Sequence, residues 1–105
     1  MDVLILNSCS KEIEDFPEVI KVDLFEAIND LKSGLTLSMP LSRRMEGMGP
    51  GVFELRLKDR SGIYRVIYFF KKGDAIYLVH GFQKKTNKTP QKNIDMALMR
   101  IKRLL

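Results

Sequence analysis

The sequence predicts an α+β fold: an N-terminal strand and a helical pair packed on an antiparallel three-stranded meander, closed by a C-terminal helix. Three observations predict it. Residues 52–85, VFELRLKDRSGIYRVIYFFKKGDAIYLVHGFQKK, read as three strands joined by two short turns. Apolar residues recur every three or four positions from Ile20 to Leu31, and again from Ile94 to Leu105, the spacing of a helix stripe. The chain has 105 residues, 45% of them hydrophobic, and no low-complexity tract, so a single domain over 1–105 is expected. At this size folding already buries roughly two-thirds of the unfolded surface.

Residues 2–6 (DVLIL) form a short apolar run without polar alternation, which predicts a strand covered on both faces inside the sheet. Ser8 and Ser10 are potential helix caps, so residues 11–15 should form one or two helical turns, with Cys9 a small packing residue. Pro17 suits the first position of the next helix and Glu18 complements its dipole. Ile20, Leu24, Ala27, Ile28 and Leu31 make its apolar stripe, and Gly34 ends it. Residues 35–51 carry Pro40, Gly47, Gly49, Pro50 and Gly51 and no period, the mark of a connecting loop. In residues 52–58 Phe53, Leu55 and Leu57 share one face, and Glu54, Arg56 and Lys58 the other. After a turn at 59–62, residues 63–70 and 75–82 are apolar on both faces, with a hairpin at Gly73 between them. Residues 83–88 make a basic turn, Thr89 and Pro90 a cap and first position, and Ile94, Ala97, Leu98, Ile101 and Leu105 the last stripe.

The net charge of +5 is unevenly spread. Residues 1–42 hold eight acids and three bases; residues 43–105 hold five acids and fifteen bases. Such a split gathers positive potential on the strands and tail, as a surface that meets phosphates would need, although a basic face can also serve solubility alone. The apolar run near the N-terminus is too short for a membrane span or a signal-peptide core, which places the protein in the cytoplasm, away from membranes. One cysteine and one histidine exclude a disulfide and the usual zinc site. The glycine-rich loop lacks the GK[ST] ending of a nucleotide cradle, so no cofactor is expected.

Several residues carry candidate chemistry. Arg56, Arg65, Lys84 and Lys85 sit on or just after the strands, where they would gather around a phosphate. Arg65 shares a strand face with Ile63, Ile67 and Phe69, so it must either reach the sheet edge or pair with a buried carboxylate such as Glu54. His80 has the only side chain whose ordinary titration suits proton transfer at neutral pH, yet it alternates with Ile76, Leu78 and Phe82, and a histidine on an apolar strand face is more often a hydrogen-bonded packing residue. Arg43 and Arg44 stand on the loop rim within reach of an RNA backbone; Lys58, Lys88 and Lys92 are further candidate contacts. Tyr64 and Tyr68 share a face and could stack on a base or pack in the core.

The order of elements, with ELR, YRVIYF and HGFQKKTNKTP, resembles the RelE/ParE superfamily of bacterial toxins, most closely its HigB-like, phage-derived branch. The likeness covers residues 17–105. It implies a small RelE-like domain acting as the toxin of a type II toxin–antitoxin system, a ribosome-dependent messenger RNA endoribonuclease working without a metal. It also implies a cognate antitoxin, often a helix-turn-helix DNA-binding protein, through which alone the toxin would reach operator DNA. On this resemblance Arg65 and Lys85 match the superfamily's strand arginine and late basic residue, and Arg56 and Lys84 match further basic positions of the branch. The RelE pattern also has an aromatic hydroxyl acting on the attacking 2′-oxygen; here residues 86–90 hold Thr86, Asn87, Thr89 and Pro90 but no tyrosine, so the general base stays unassigned. Two other activities fit the same fold: non-enzymatic inhibition of gyrase, as in the ParE branch, and partner binding through the last helix.

Metal-free RNA cleavage needs a group to take the 2′-hydroxyl proton, cations to neutralise a dianionic phosphorane and a donor for the leaving 5′-oxygen. Arginine and lysine fill the second role directly. A lysine fills a proton-transfer role only when neighbouring cations depress its pKa. Lys84 and Lys85 beside Arg56 and Arg65 would supply that crowding.

Overall fold

The computed structural model describes residues 1–105. Its elements run β1 (Val3–Ile5), α1 (Asn7–Glu14), α2 (Glu18–Lys32), β2 (Ser42–Arg44), β3 (Val52–Asp59), β4 (Gly62–Phe70), β5 (Ile76–Lys84) and α3 (Gln91–Leu104). The two-residue period of β3 sorts the layers. Leu55 and Leu57 face α1 and α2, where Cys9, Ile13, Ile20, Leu24, Ala27, Ile28 and Leu31 complete one core. Val52 faces the other way, into a second core with Ile67, Phe69, Val79, Ala97 and Ile101 beneath α3. Covered on both sides, β4 is buried at every position from Tyr64 to Phe69, as its pattern, apolar on both faces except at Arg65, predicts.

The sheet is five-stranded and mixed, in the order β1-β5-β4-β3-β2, and the expected antiparallel meander β3-β4-β5 forms its centre. Two elements depart from the sequence reading. The apolar run at the N-terminus is an edge strand, parallel to β5, and Leu4 is largely exposed; its apolar character reflects contact with α2 and β5, not an interior place. Within the segment expected to be a loop, Ser42, Arg43 and Arg44 pair with Leu55, Glu54 and Phe53 as the opposite edge strand. So short a strand is induced by the free backbone edge of β3, and nothing in its own sequence announces it.

The helix ends differ in detail. α1 starts at Asn7 with Leu6 as its cap, so Ser8 and Ser10 lie inside the helix. Pro17 and Pro90 are themselves the caps of α2 and α3, one place earlier than expected, in the extended conformation that proline favours. α2 ends on a paired closure, Gly34 N–H to Leu31 O at 3.0 Å and Leu35 N–H to Asp30 O at 3.0 Å. This closure needs the left-handed φ of +87° that Gly34 takes without strain. Gly81 has a different purpose: a Cβ there would stand 3.2 Å from the Phe16 ring, so its absence lets α1 lie close on β5. Cys9 is fully buried, and burial with the nearby Glu12 charge pushes its thiol up to about 12, which makes it an inert packing group. No helix is long and apolar enough to cross a membrane.

A bulge in β5 redirects the site. Ile67 pairs with His80 but Tyr68 with Leu78, so Val79 is the extra residue and Val79 and His80 both turn toward α3. His80 therefore shares its face with Phe82, stacked at 5.1 Å, and not with Ile76 and Leu78, which lie in the opposite core. β5 also runs to Lys84, two residues beyond the expected end at Phe82.

Candidate phosphate-binding site

Cross-strand partners share a face, so the pairing registers carry separate cations into one cluster on the α3 side of the sheet. Arg43 stands opposite Glu54, Arg56 opposite Arg65, and Ile63 opposite Lys84 and Lys58. Arg43, Arg56, Lys58, Arg65 and Lys84 thus occupy three adjacent rows around a single carboxylate, that of Glu54. Beside Arg56 and Arg65 the surface opens into a pocket of about 430 Å³, lined also by Pro40, Leu41 and Lys58.

Glu54 is 1% exposed and Arg65 5%. The sequence left Arg65 a choice between the sheet edge and a buried carboxylate, and the structure pairs it with Glu54. The pair is loose: Nε lies 3.4 Å from Glu54 Oε1 and makes no hydrogen bond, although the atom is buried. Nη1 donates to the Tyr64 carbonyl at 3.2 Å, and Nη2 makes no hydrogen bond within the protein. The other oxygen of Glu54, Oε2, accepts the Thr89 hydroxyl at 2.9 Å. Thr89 was expected to cap α3; its hydroxyl serves this carboxylate instead.

Of these five cations only Arg65 is in a salt bridge, so the face keeps an excess of positive charge, which adds to burial in shifting two of them. Burial lowers the pKa of Arg65, Glu54 opposes this, and Arg56 and Arg43 lower it further. Burial also lowers Lys84, reinforced by Arg65, opposed by Glu54, and lowered again by Arg56 and Arg43. Lys84 is thus the lysine whose amine is crowded by cations.

Other candidates lie elsewhere. Lys85 follows the end of β5 and is exposed; the strand register puts Lys84, not Lys85, on the cluster's face. Arg44 pairs with Phe53, which faces the helical pair, so it leaves the sheet on the opposite side from Arg43. Lys88 and Lys92 are exposed, in the loop before α3 and in its first turn. Tyr64 is 5% exposed against Phe16, with ring centroids 5.0 Å apart and its hydroxyl bonded to Ser61 Oγ at 2.7 Å. It faces α1 and α2, and no base can stack on it there. Tyr68 is buried on the same face, stacked on Phe53 and bonded to Ser42 Oγ.

His80 belongs to a second, closed network. Its Nδ1 bonds Glu12 Oε2 at 2.9 Å and its Nε2 meets Asn93 Oδ1 at 2.8 Å. Both partners are acceptors as placed, so both bonds together need either a doubly protonated ring or the Asn93 amide turned to donate from its nitrogen. Arg100 Nη1 donates to Glu12 Oε1 and to the Val79 carbonyl, each at 2.8 Å, and the Gly81 N–H reaches Glu12 Oε1 at 3.1 Å. Burial alone would raise the pKa of Glu12, but the bonds from His80, Arg100 and Gly81 hold it down at about 2. With both ring nitrogens engaged and 6% exposure, His80 is a structural link between α1, β5 and α3, not the sought proton acceptor. Glu12, Asn93 and Arg100 gave no signal in the sequence, because the residues they meet lie far away along the chain.

A family model described as "Phage derived protein Gp49-like (DUF891)" matches residues 11–102. No curated protein matches the sequence. Among solved structures, a mutant of the E. coli toxin RelE in the free state superposes with a TM-score of 0.63 at 16% identity, covering 98% of this chain and 96% of that one. The RelB–RelE antitoxin–toxin complex from Methanococcus jannaschii gives a TM-score of 0.62 at 16% identity, covering 76% and 88%. The likeness establishes a RelE-like fold.

Proposed function

The chain belongs to the phage-derived Gp49-like family, and on that premise we propose that it is the toxin of a toxin–antitoxin pair, a metal-independent endoribonuclease acting on messenger RNA at the ribosome. One observation carries the proposal: Arg43, Arg56, Arg65 and Lys84 converge on one sheet face, with Glu54 the one carboxylate in a salt bridge to any of them and the Lys84 amine depressed. Structural need does not account for so many clustered cations, since their mutual repulsion opposes folding. A phosphate diester passing through a dianionic phosphorane would use them.

In the proposed reaction the 2′-oxygen attacks phosphorus as its proton passes to the neutral amine of Lys84. The P–O2′ bond forms and the P–O5′ bond breaks, and the departing 5′-oxygen takes a proton from solvent. Arg56 and Arg65 bind the non-bridging oxygens throughout, with Arg43 and Lys58 guiding the backbone beside them. The products are a 2′,3′-cyclic phosphate and a 5′-hydroxyl. Lys84 thereby takes the role that an aromatic hydroxyl has in the RelE pattern. The toxin would work in the cytoplasm, restrained by a small helix-turn-helix antitoxin that supplies all contact with operator DNA.

Inducing the protein alone and mapping message ends tests the proposal. New internal 5′-hydroxyl ends inside translated regions are expected; growth arrest with intact messages would refute it and direct attention to gyrase supercoiling.

A further inference from the structure

We propose that Thr89 is the positioning residue of this site: by holding the buried Glu54 carboxylate with its hydroxyl, it keeps Arg65 free to bind a phosphate. The inference rests on the reading of the cluster as a phosphate site.

A carboxylate 1% exposed cannot turn to water, so its bonds must come from the protein. An arginine and a carboxylate left to themselves close to about 2.8 Å and commonly form two parallel bonds. Here Arg65 Nε stays at 3.4 Å from Glu54 and is the only buried side-chain nitrogen or oxygen with no hydrogen bond. Two bonds keep the pair apart. The Tyr64 carbonyl holds Nη1 at 3.2 Å, and Thr89 draws the carboxylate by its far oxygen at 2.9 Å. The guanidinium is therefore steered by Glu54 without being consumed by it, and Nη2 remains unbonded. An incoming phosphate meets an arginine that need not first break a bidentate bridge.

Removing the Thr89 hydroxyl leaves Glu54 Oε2 without its donor, and the guanidinium already 3.4 Å from Oε1 is in place to take it. The carboxylate then closes on the guanidinium and withdraws it from the phosphate. The bond also has a reach along the chain. Thr89 directly precedes the cap of α3 and follows Lys84, Lys85 and Lys88, and the Thr86 hydroxyl ties this loop to the Lys88 carbonyl at 2.7 Å. One hydroxyl thus registers the basic loop on the strand cluster.

Thr89→Val and Thr89→Ser separate this role from simple packing. In the intact 15N-labelled protein, the valine variant should move the Arg65 Nε–Hε resonance downfield and slow its exchange with water, and the serine variant should not. Binding of a short single-stranded RNA carrying a 2′-deoxy sugar at the scissile position should weaken about tenfold in Thr89→Val and less than about twofold in Thr89→Ser, one lost contact of a fixed charge. An Arg65 resonance unmoved by Thr89→Val overturns the inference, as does a moved resonance with unchanged RNA affinity. If the unaltered protein neither binds nor cuts RNA, the nuclease reading falls, while the Arg65 resonance still decides whether Thr89 governs the arginine.

Discussion

Glu12 and Glu54 are both carboxylates drawn into the protein beside an arginine, and they differ in how completely they are bonded. Glu12 accepts from His80, Arg100 and the Gly81 N–H, so both of its oxygens are bonded. Glu54 has one hydroxyl and one arginine that fails to reach bonding geometry, amid cations that have no acid of their own. A closed network of the first kind fixes α1 and α3 to the edge of β5. An open one of the second kind carries charge that a bound phosphate would neutralise.

Substitutions can break this contrast, and the largest effect is expected at Arg65. Arg65→Ala should lower RNA cleavage by about 10²–10³-fold, the usual cost of removing a donor aimed at developing charge, in a single-turnover assay on programmed ribosomes. Lys84→Arg keeps the charge but removes the proton acceptor, for a loss of about a hundredfold. With Lys84 intact, cleavage should rise with pH through an amine pKa lying below 10.5, because only the neutral form accepts the proton. Arginine at this position should flatten that limb of the profile.

The closed network should respond in stability instead. Arg100→Ala leaves Glu12 and the Val79 carbonyl short of a donor and should cost about 2–3 kcal/mol, an unfolding midpoint lower by about 10 °C or more in a scanning measurement. Glu12 also fixes an acid dependence. Its folded pKa of about 2 lies below its ordinary 4.5, so its stabilisation is complete above pH 4.5 and is lost as pH falls from there toward 2. That loss should be about 1–2 kcal/mol in urea titrations, after allowance for the quarter of its side chain open to solvent. The smallest effect is expected at Tyr64→Phe, which removes only a hydroxyl bond to Ser61 and should change cleavage less than about twofold.

The same contrast marks what could be read from the sequence. Strand alternation in β3 and the helix stripes gave the layers, because periodicity reports which side of an element meets the core. That Arg56, Arg65 and Lys84 would gather was expected from their places on the strands, while the registers that bring them together were not legible. Nor was the preference for Lys84 over Lys85, since it depends on β5 running two residues further than its apolar run. The structural role of His80 was among the readings its sequence offered, but its face was not legible: a bulge one residue earlier changes it, and a bulge leaves no mark in this strand's composition. Edge strand β2 was hidden because three polar residues pair only where β3 offers a free edge. Thr89 was visible as a cap and became a ligand of Glu54, 35 residues away, a distance over which local rules have no force.

The most direct test of the open site against the closed one sets Arg65→Ala beside Arg100→Ala, both assayed for message cleavage well below either unfolding midpoint. The account predicts that Arg65→Ala, though destabilised by the unpaired Glu54, is nearly silent where it is still folded, and that Arg100→Ala is less stable yet cleaves within a few-fold of the unaltered protein. Full cleavage by Arg65→Ala, or equal loss in both variants, would contradict it.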